Sequence, residues 1–225
     1  YQNIGDQWDK HQRGFVSRPG VDDIYEYRHA IDERMERLFQ DINAAQYHAF
    51  HDLVVLGCNH EQQHQELLAT DIKYILATNP FIPSYTSKDL HAVGNSQQTP
   101  SDWDFVDVEG GLHEIGYQGD QFHMDNERPV HKAYLYDFKI QNRLITNGEF
   151  LQFIEDGGYD NVNLWLDDGW SAIKEGAFNS PLYWRKIDGQ WYEVTLAGLQ
   201  PLKLDAPVTH LNLYEADAFA TWAGK

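Results

Sequence analysis

The feature that most constrains this chain is a change of hydrophobic period at Asn79-Pro80. Ahead of it, apolar residues recur at three- and four-residue steps, the spacing of one face of an α-helix. From Val21 to Leu38 these positions are Ile24, Tyr27, Ile31, Met35 and Leu38. Pro19-Gly20 and the acidic pair Asp22-Asp23 suit the start of that helix, where negative charge meets the helix dipole. A second segment runs from about Ala44 to Thr78, with Phe50, Leu53, Val54, Gly57, Leu67, Leu68, Ile72, Ile75 and Leu76 assigned to its buried side. At 1.5 Å per residue it makes a rod of roughly 50 Å, the length of a bundle helix. Two such helices do not close a bundle alone. The pattern therefore predicts either dimerisation or further helices ahead of Tyr1.

Beyond the break the character changes. Residues 80–102 hold Pro80, Pro83, Gly94, Asn95 and Pro100 among Ser and Thr, and read as a linker. Trp103 to Ile145 reads as short strands interrupted by Gly110-Gly111, Gly116 and Gly119. Within it, His131 to Ile140 sets Ala133, Leu135 and Asp137 opposite Lys132, Tyr134, Tyr136 and Phe138 in an imperfect alternation. Thr146 and Glu149 have capping-box spacing, and the short helix they start should end at Gly157-Gly158. Asn212 and Glu215 repeat that spacing before Ala216 to Ala223. Five of the seven Trp lie after Asp160, where core packing is the expected role rather than an aromatic-lined sugar site. The reading is an α+β chain: a helical segment over 1–79, a linker over 80–102 and a second domain over 103–225.

Charge narrows the partners. The net charge is −18, from 35 acids against 17 bases, with no local basic patch. A phosphate backbone would be repelled, so nucleic acid is excluded as a partner. No apolar run approaches the roughly 20 residues of a membrane span, which predicts no membrane insertion. Tyr1 to Lys10 do not resemble a signal peptide. The single cysteine, Cys58, cannot form an internal disulfide and fits a reducing, cytoplasmic compartment. Lying in the apolar stretch Leu53 to Cys58, it is expected to be a buried structural thiol rather than a nucleophile.

The chemistry-bearing segment is Asn59-His60-Glu61-Gln62-Gln63-His64-Gln65-Glu66, inside the long helix. A four-residue step turns only about 40° around the axis, so His60 and His64 project from one face, one turn apart. Two imidazole nitrogens so placed can reach one divalent metal. The bare pattern is also H-E-x-x-H, in which Glu61 would be the general base of a zinc protease. The bundle-like helix and the amides of Gln62-Gln63 argue against that reading. Asp71, seven positions after His64 and nearly on the same stripe, could orient a ligand or a nearby water. Glu66 points toward a different face. Imidazole ligands fit Zn, Fe, Cu or Ni alike, and a solvated or core-satisfied histidine pair remains the alternative. His48 and His51 lie on other faces of the helix, and His91, His113, His123, His131 and His210 show no ligand spacing.

The segment Leu56 to Lys73, LGCNHEQQHQELLATDIK, is similar to the metal helix of the hercynine oxygenase family, the sulfoxide synthases of ergothioneine biosynthesis. The second half resembles the same family in the same order: GGLHEIG at 110–116, DNERPVHK at 125–132, TNGEF at 146–150, DGGY at 156–159, LYW at 182–184 and YEADAFATWAGK at 214–225. The resemblance implies a partial DinB-like helical bundle followed by an irregular α+β domain. That domain would be C-type-lectin-like and similar to the formylglycine-generating enzyme and sulfatase-modifying factors.

It further implies a mononuclear non-haem Fe(II) held by three histidines, two of them His60 and His64 and the third expected upstream of Tyr1. Gln63 matches the position expected to touch a betaine carboxylate. Lys10 and Arg13 fall in a loop that helps hold the sulfur donor, with Lys10 standing where some members carry arginine. The implied substrates are N-trimethylhistidine (hercynine), O2 and a thiol, either cysteine or γ-glutamylcysteine. The catalytic tyrosine is expected beyond Lys225, so this stretch alone is expected to be inactive. Two other outcomes stay open: an ovothiol-type synthase acting on unmethylated histidine, and a DinB-like metal- or thiol-binding module without oxidative catalysis.

Overall fold

Helix α1 spans Val21–Asp41 in a computed structural model that describes residue 9, residues 18–87 and residues 104–225. Asp23 reaches back to accept the Gly20 backbone N–H at 2.9 Å, which closes the first turn as the acidic pair predicts. Helix α2 spans Ala44–Thr78. Its start is fixed by Asn43, whose Oδ1 accepts from the backbone N–H groups of Ala45 and Gln46, while the Gln46 Oε1 accepts from Asn43 N. The chain divides into two compact units, Tyr1–Asn59 and His60–Lys225, with the boundary inside α2.

The side of α2 assigned to the core by periodicity is only partly covered. Val54, Ile72 and Leu76 are half-buried, but Phe50, Leu53, Gly57, Leu67, Leu68 and Ile75 are exposed. On α1, Ile31, Met35 and Leu38 are half-buried while Ile24 and Tyr27 are exposed. Spacing identifies an apolar stripe but not what lies over it, and the described residues leave most of these stripes uncovered. Cys58 is exposed too, contrary to the expected buried thiol. The reason is geometric: a continuous apolar run wound on a helix points to every side, so it cannot say which member is covered.

In the second unit the expected strands form. Strand β1 (Phe105–Val108) pairs antiparallel with β4 (Phe138–Gln141), and β2 (Gly111–Ile115) with β3 (His131–Leu135). The alternation expected across 131–140 is thus split at Tyr136-Asp137 between two ladders. The split sits where Gly110 N–H donates to the Asp137 carboxylate at 2.7 Å. A Cβ on Gly110 would lie 2.7 Å from the Leu135 carbonyl oxygen, so only glycine allows the backbones this close. Strands β5 (Trp184–Ile187), β6 (Gln190–Thr195) and β7 (Gly198–Pro201) form a separate antiparallel meander. Asp188-Gly189, both at positive φ, make the two-residue turn that matches strand twist.

Helices α3 (Asn147–Glu155), α4 (Asp167–Lys174) and α5 (Leu213–Trp222) complete the unit, so the chain is α+β. Both expected capping boxes are present: Thr146 Oγ1 accepts from Glu149 N, and Asn212 Oδ1 from Glu215 N. The core is aromatic, as the tryptophan distribution predicts. Phe150, Phe153, Tyr159, Trp165, Trp184 and Phe219 are buried together, with Trp170, Trp191 and Trp222 against them. Truncating one such Phe to Ala typically costs about 3–5 kcal/mol, so this cluster is the unit's main support. The Tyr159 hydroxyl donates to Glu215 at 2.5 Å, which ties α5 to the turn after α3. Burial and the adjacent carboxylate push the Tyr159 phenol well above its ordinary value, so it stays a donor. Among the described residues no helix is long and apolar enough to cross a membrane.

Candidate metal centre on the long helix

The histidine pair owes its arrangement to α2 alone. His60 and His64 lie mid-helix, and the uninterrupted 3.6-residue period stacks them on one face. Their ring centroids are 4.5 Å apart and their planes are nearly perpendicular, at 85°. His60 is half-buried and His64 is exposed. Ahead of the pair, the Asn59 amide donates to the Val55 carbonyl at 2.9 Å and lies along the helix. Gln63 and Asp71 are both exposed, Gln63 beside His64 and Asp71 two turns further on. Glu61 is exposed as well. Lys10 and Arg13, the expected donor-binding pair, lie outside the described residues, and so does His91.

This donor set fits a borderline divalent metal. Two neutral imidazoles brought this close on one rigid element offer two ligands and leave coordination positions open. Among the described residues no group of three or more His, Cys, Asp or Glu is gathered to hold a metal ion. Three described histidines of the second half are engaged locally. His113 Nε2 meets the Glu109 carbonyl at 3.1 Å, His123 Nδ1 that of Gln121 at 3.2 Å, and His131 Nδ1 that of Pro129 at 3.1 Å. A ring nitrogen donating to a carbonyl fixes a tautomer but does not gather ligands.

One polar cluster escapes the sequence reading. Near the end of α2, Lys73 Nζ lies 2.9 Å from His210 Nε2 and 3.9 Å from Glu193, and 4.2 Å from the centre of the Tyr183 ring. Ala77, one turn on, is buried against Tyr183 and Val194. The helix carrying the histidine pair is thereby fastened to β6, through Glu193 and Val194, and to the loop between β7 and α5, through His210. The sequence separation of 137 residues between Lys73 and His210 leaves no local signal for the contact.

Comparison with known proteins gives a consistent picture. Residues 91–225 match the family model of the sulfatase-modifying factor enzyme 1-like domain. A hercynine oxygenase from Mycolicibacterium thermoresistibile is 30% identical over 197 residues, covering 88% of this chain and 41% of that protein. A hercynine oxygenase from Mycobacterium tuberculosis is 36% identical over 101 residues, 45% of this chain and 23% of that protein. The protein named ergothioneine biosynthesis protein 1 from Schizosaccharomyces pombe is 36% identical over 81 residues, 36% of this chain and 8% of that protein. The chain thus spans less than half the length of these curated relatives.

Proposed function

Because the chain belongs to the sulfatase-modifying factor enzyme 1-like domain family and groups with the hercynine oxygenases, we propose that the protein is an iron(II)-dependent sulfoxide synthase of ergothioneine biosynthesis. The observation that carries the proposal is the His60–His64 pair, with rings 4.5 Å apart, inside an alignment that covers 88% of the chain. The overall reaction joins a thiol to the imidazole of N-trimethylhistidine. One imidazole C–H, one S–H and one O2 become one C–S bond, one sulfoxide oxygen and one water.

Within this reading, His60 and His64 supply two nitrogen ligands. Bound iron supplies the redox chemistry that O2 requires and that no amino-acid side chain provides. The chain's own residues bind and orient. Gln63, next to His64 on an exposed surface, offers an amide N–H to the betaine carboxylate of trimethylhistidine. Lys10 and Arg13 offer positive charge to the carboxylates of cysteine or γ-glutamylcysteine. In a chain of net charge −18, such carboxylate groups need local cations of this kind. Asp71 holds a ligand or a water in orientation from two turns below the pair.

The test is direct. The protein, loaded anaerobically with Fe(II), is given O2, trimethylhistidine and either cysteine or γ-glutamylcysteine. Sulfoxide formed with O2 uptake is the expected result, and the faster thiol identifies the donor. Preference for unmethylated histidine would assign the ovothiol-type reaction instead. Iron bound without O2 uptake would leave a metal-binding module, and no bound iron would remove His60 and His64 from any metal site.

A further inference from the structure

We propose that the Lys73–His210 contact is a pH-sensitive latch, which fastens the end of the histidine-bearing helix α2 to the loop between β7 and α5 when His210 is neutral and releases it when His210 takes up a proton.

The geometry allows only one charge arrangement. Lys73 carries donors and no acceptor, so at 2.9 Å it donates to His210 Nε2. That nitrogen must then be bare, with the proton of the neutral ring on Nδ1. Protonation would place an N–H on Nε2, setting two donors and two like charges face to face. The hydrogen bond would turn into a repulsion at the same distance. Among the described residues, the titratable groups facing the contact are Lys73 and Tyr74 from α2, Tyr183 ahead of β5 and Glu193 from β6. Glu193 lies 3.9 Å from Lys73, too far for a direct hydrogen bond, and Tyr183 meets the His210 ring edge-on at 4.6 Å between centroids. The acidic partner is thus on the Lys73 side of the contact.

The site has the properties a latch needs. The Lys73 side chain is 16% exposed and that of Glu193 is 9% exposed, so screening by water is weak there. His210 itself is exposed, so protons reach it from solvent. It is held at φ +60°, a conformation that costs most side chains energy and that His adopts more readily than bulky residues. Its carbonyl also accepts from Leu182 N–H at 3.4 Å, which ties the His210 backbone to the segment ahead of β5 that carries Tyr183. On the helix side, Ala77 packs on Tyr183 and Val194. The latch therefore acts on a defined apolar contact at the end of α2.

Burial, and then the neighbouring Lys73 ammonium, hold the His210 imidazole below its ordinary value of 6.5. For a base whose folded value is depressed, the folded state binds fewer protons than the unfolded chain. The latch's contribution is complete above about pH 6.5 and falls as pH drops below it toward the folded value. Lys73 is lowered by its own burial, an effect partly opposed by Glu193.

The experiment is backbone hydrogen exchange of residues 73–78 in the 225-residue protein between pH 7.5 and 5.5, each rate corrected for its intrinsic pH dependence. In the wild type, protection of these amides falls toward pH 5.5, by up to about tenfold over the unit between pH 6.5 and 5.5. Amides of α5 keep their protection. His210→Gln places a non-titrating acceptor near the Nε2 position and removes the pH dependence. Lys73→Met removes the facing ammonium, and the NMR titration midpoint of His210 then rises. That second readout stands even if position 210 tolerates no substitution. Flat protection in the wild type, an equal loss in His210→Gln, or an unmoved His210 midpoint in Lys73→Met would each overturn the proposal.

Discussion

His60 and His64 need nothing from the rest of the fold in order to face a common point, because the helix period alone brings their rings to 4.5 Å. Removal of the exposed His64 should therefore be cheap for the fold, and costly for metal binding if the proposed function holds. His64 is exposed, and His64→Ala is expected to change the unfolding free energy by no more than about 0.5 kcal/mol. If the pair holds iron as proposed, the same change in the Fe(II)-loaded protein should lower bound iron to below half of the wild-type content. Metal analysis beside a urea titration checks both expectations. Retained iron would assign the site to other residues. This pair was legible because both partners sit within one turn. Cys58 was misread from the same helix, since a continuous apolar run gives no phase from which to choose the covered side. Lys73 and His210 were not legible at all, because the chain brings them together across 137 residues.

Helix starts were the most readable elements, since a cap is a contract between residues three apart. At α5 the bond runs both ways: Asn212 Oδ1 accepts from Glu215 N, and the Glu215 carboxylate accepts from Asn212 N, each at 2.9 Å. Glu215 also receives the Tyr159 hydroxyl. Asn212→Ala removes one acceptor from this buried corner and should cost about 1 kcal/mol. Asn212→Ser, which restores an oxygen at the cap, should recover most of it. Chemical denaturation of the three proteins measures the difference, and an Ala variant as stable as the wild type would show that the box contributes nothing. Asn43 and Gln46 cap α2 with the same spacing, a signal present in the sequence but passed over. The Asp188-Gly189 turn was equally readable. The split of residues 131–141 into β3 and β4 was not. It depends on Asp137 meeting Gly110, a partner 27 residues away, and alternation carries no information about which strand lies alongside.

For the whole molecule, the change of period at Asn79-Pro80 announced the α+β class, and the clustering of tryptophans announced an aromatic core. Composition could not say which helix stripes would be covered, because burial depends on neighbours rather than on period. Charge is the remaining global property, and it makes a prediction of its own. A net charge of −18 spread over one chain repels itself, and that repulsion weakens the folded state. Salt relieves it, but salt also weakens ion pairs. The pairs Arg28–Asp32, Arg37–Glu33 and Lys139–Asp107 are exposed and worth little in water. Arg143–Glu149, bidentate at 2.6 and 2.9 Å and mostly covered, is screened much less. Relief of repulsion should therefore win, and Tm should rise with NaCl. The shape of the rise matters as much as its sign. The screening length falls from about 30 Å at 0.01 M salt to about 10 Å at 0.1 M, so most of the gain belongs below 0.1 M. A rise that begins only at several tenths molar would instead reflect stronger apolar burial. A fall below 0.1 M would mean that the attractive pairs outweigh the excess of 35 acids over 17 bases.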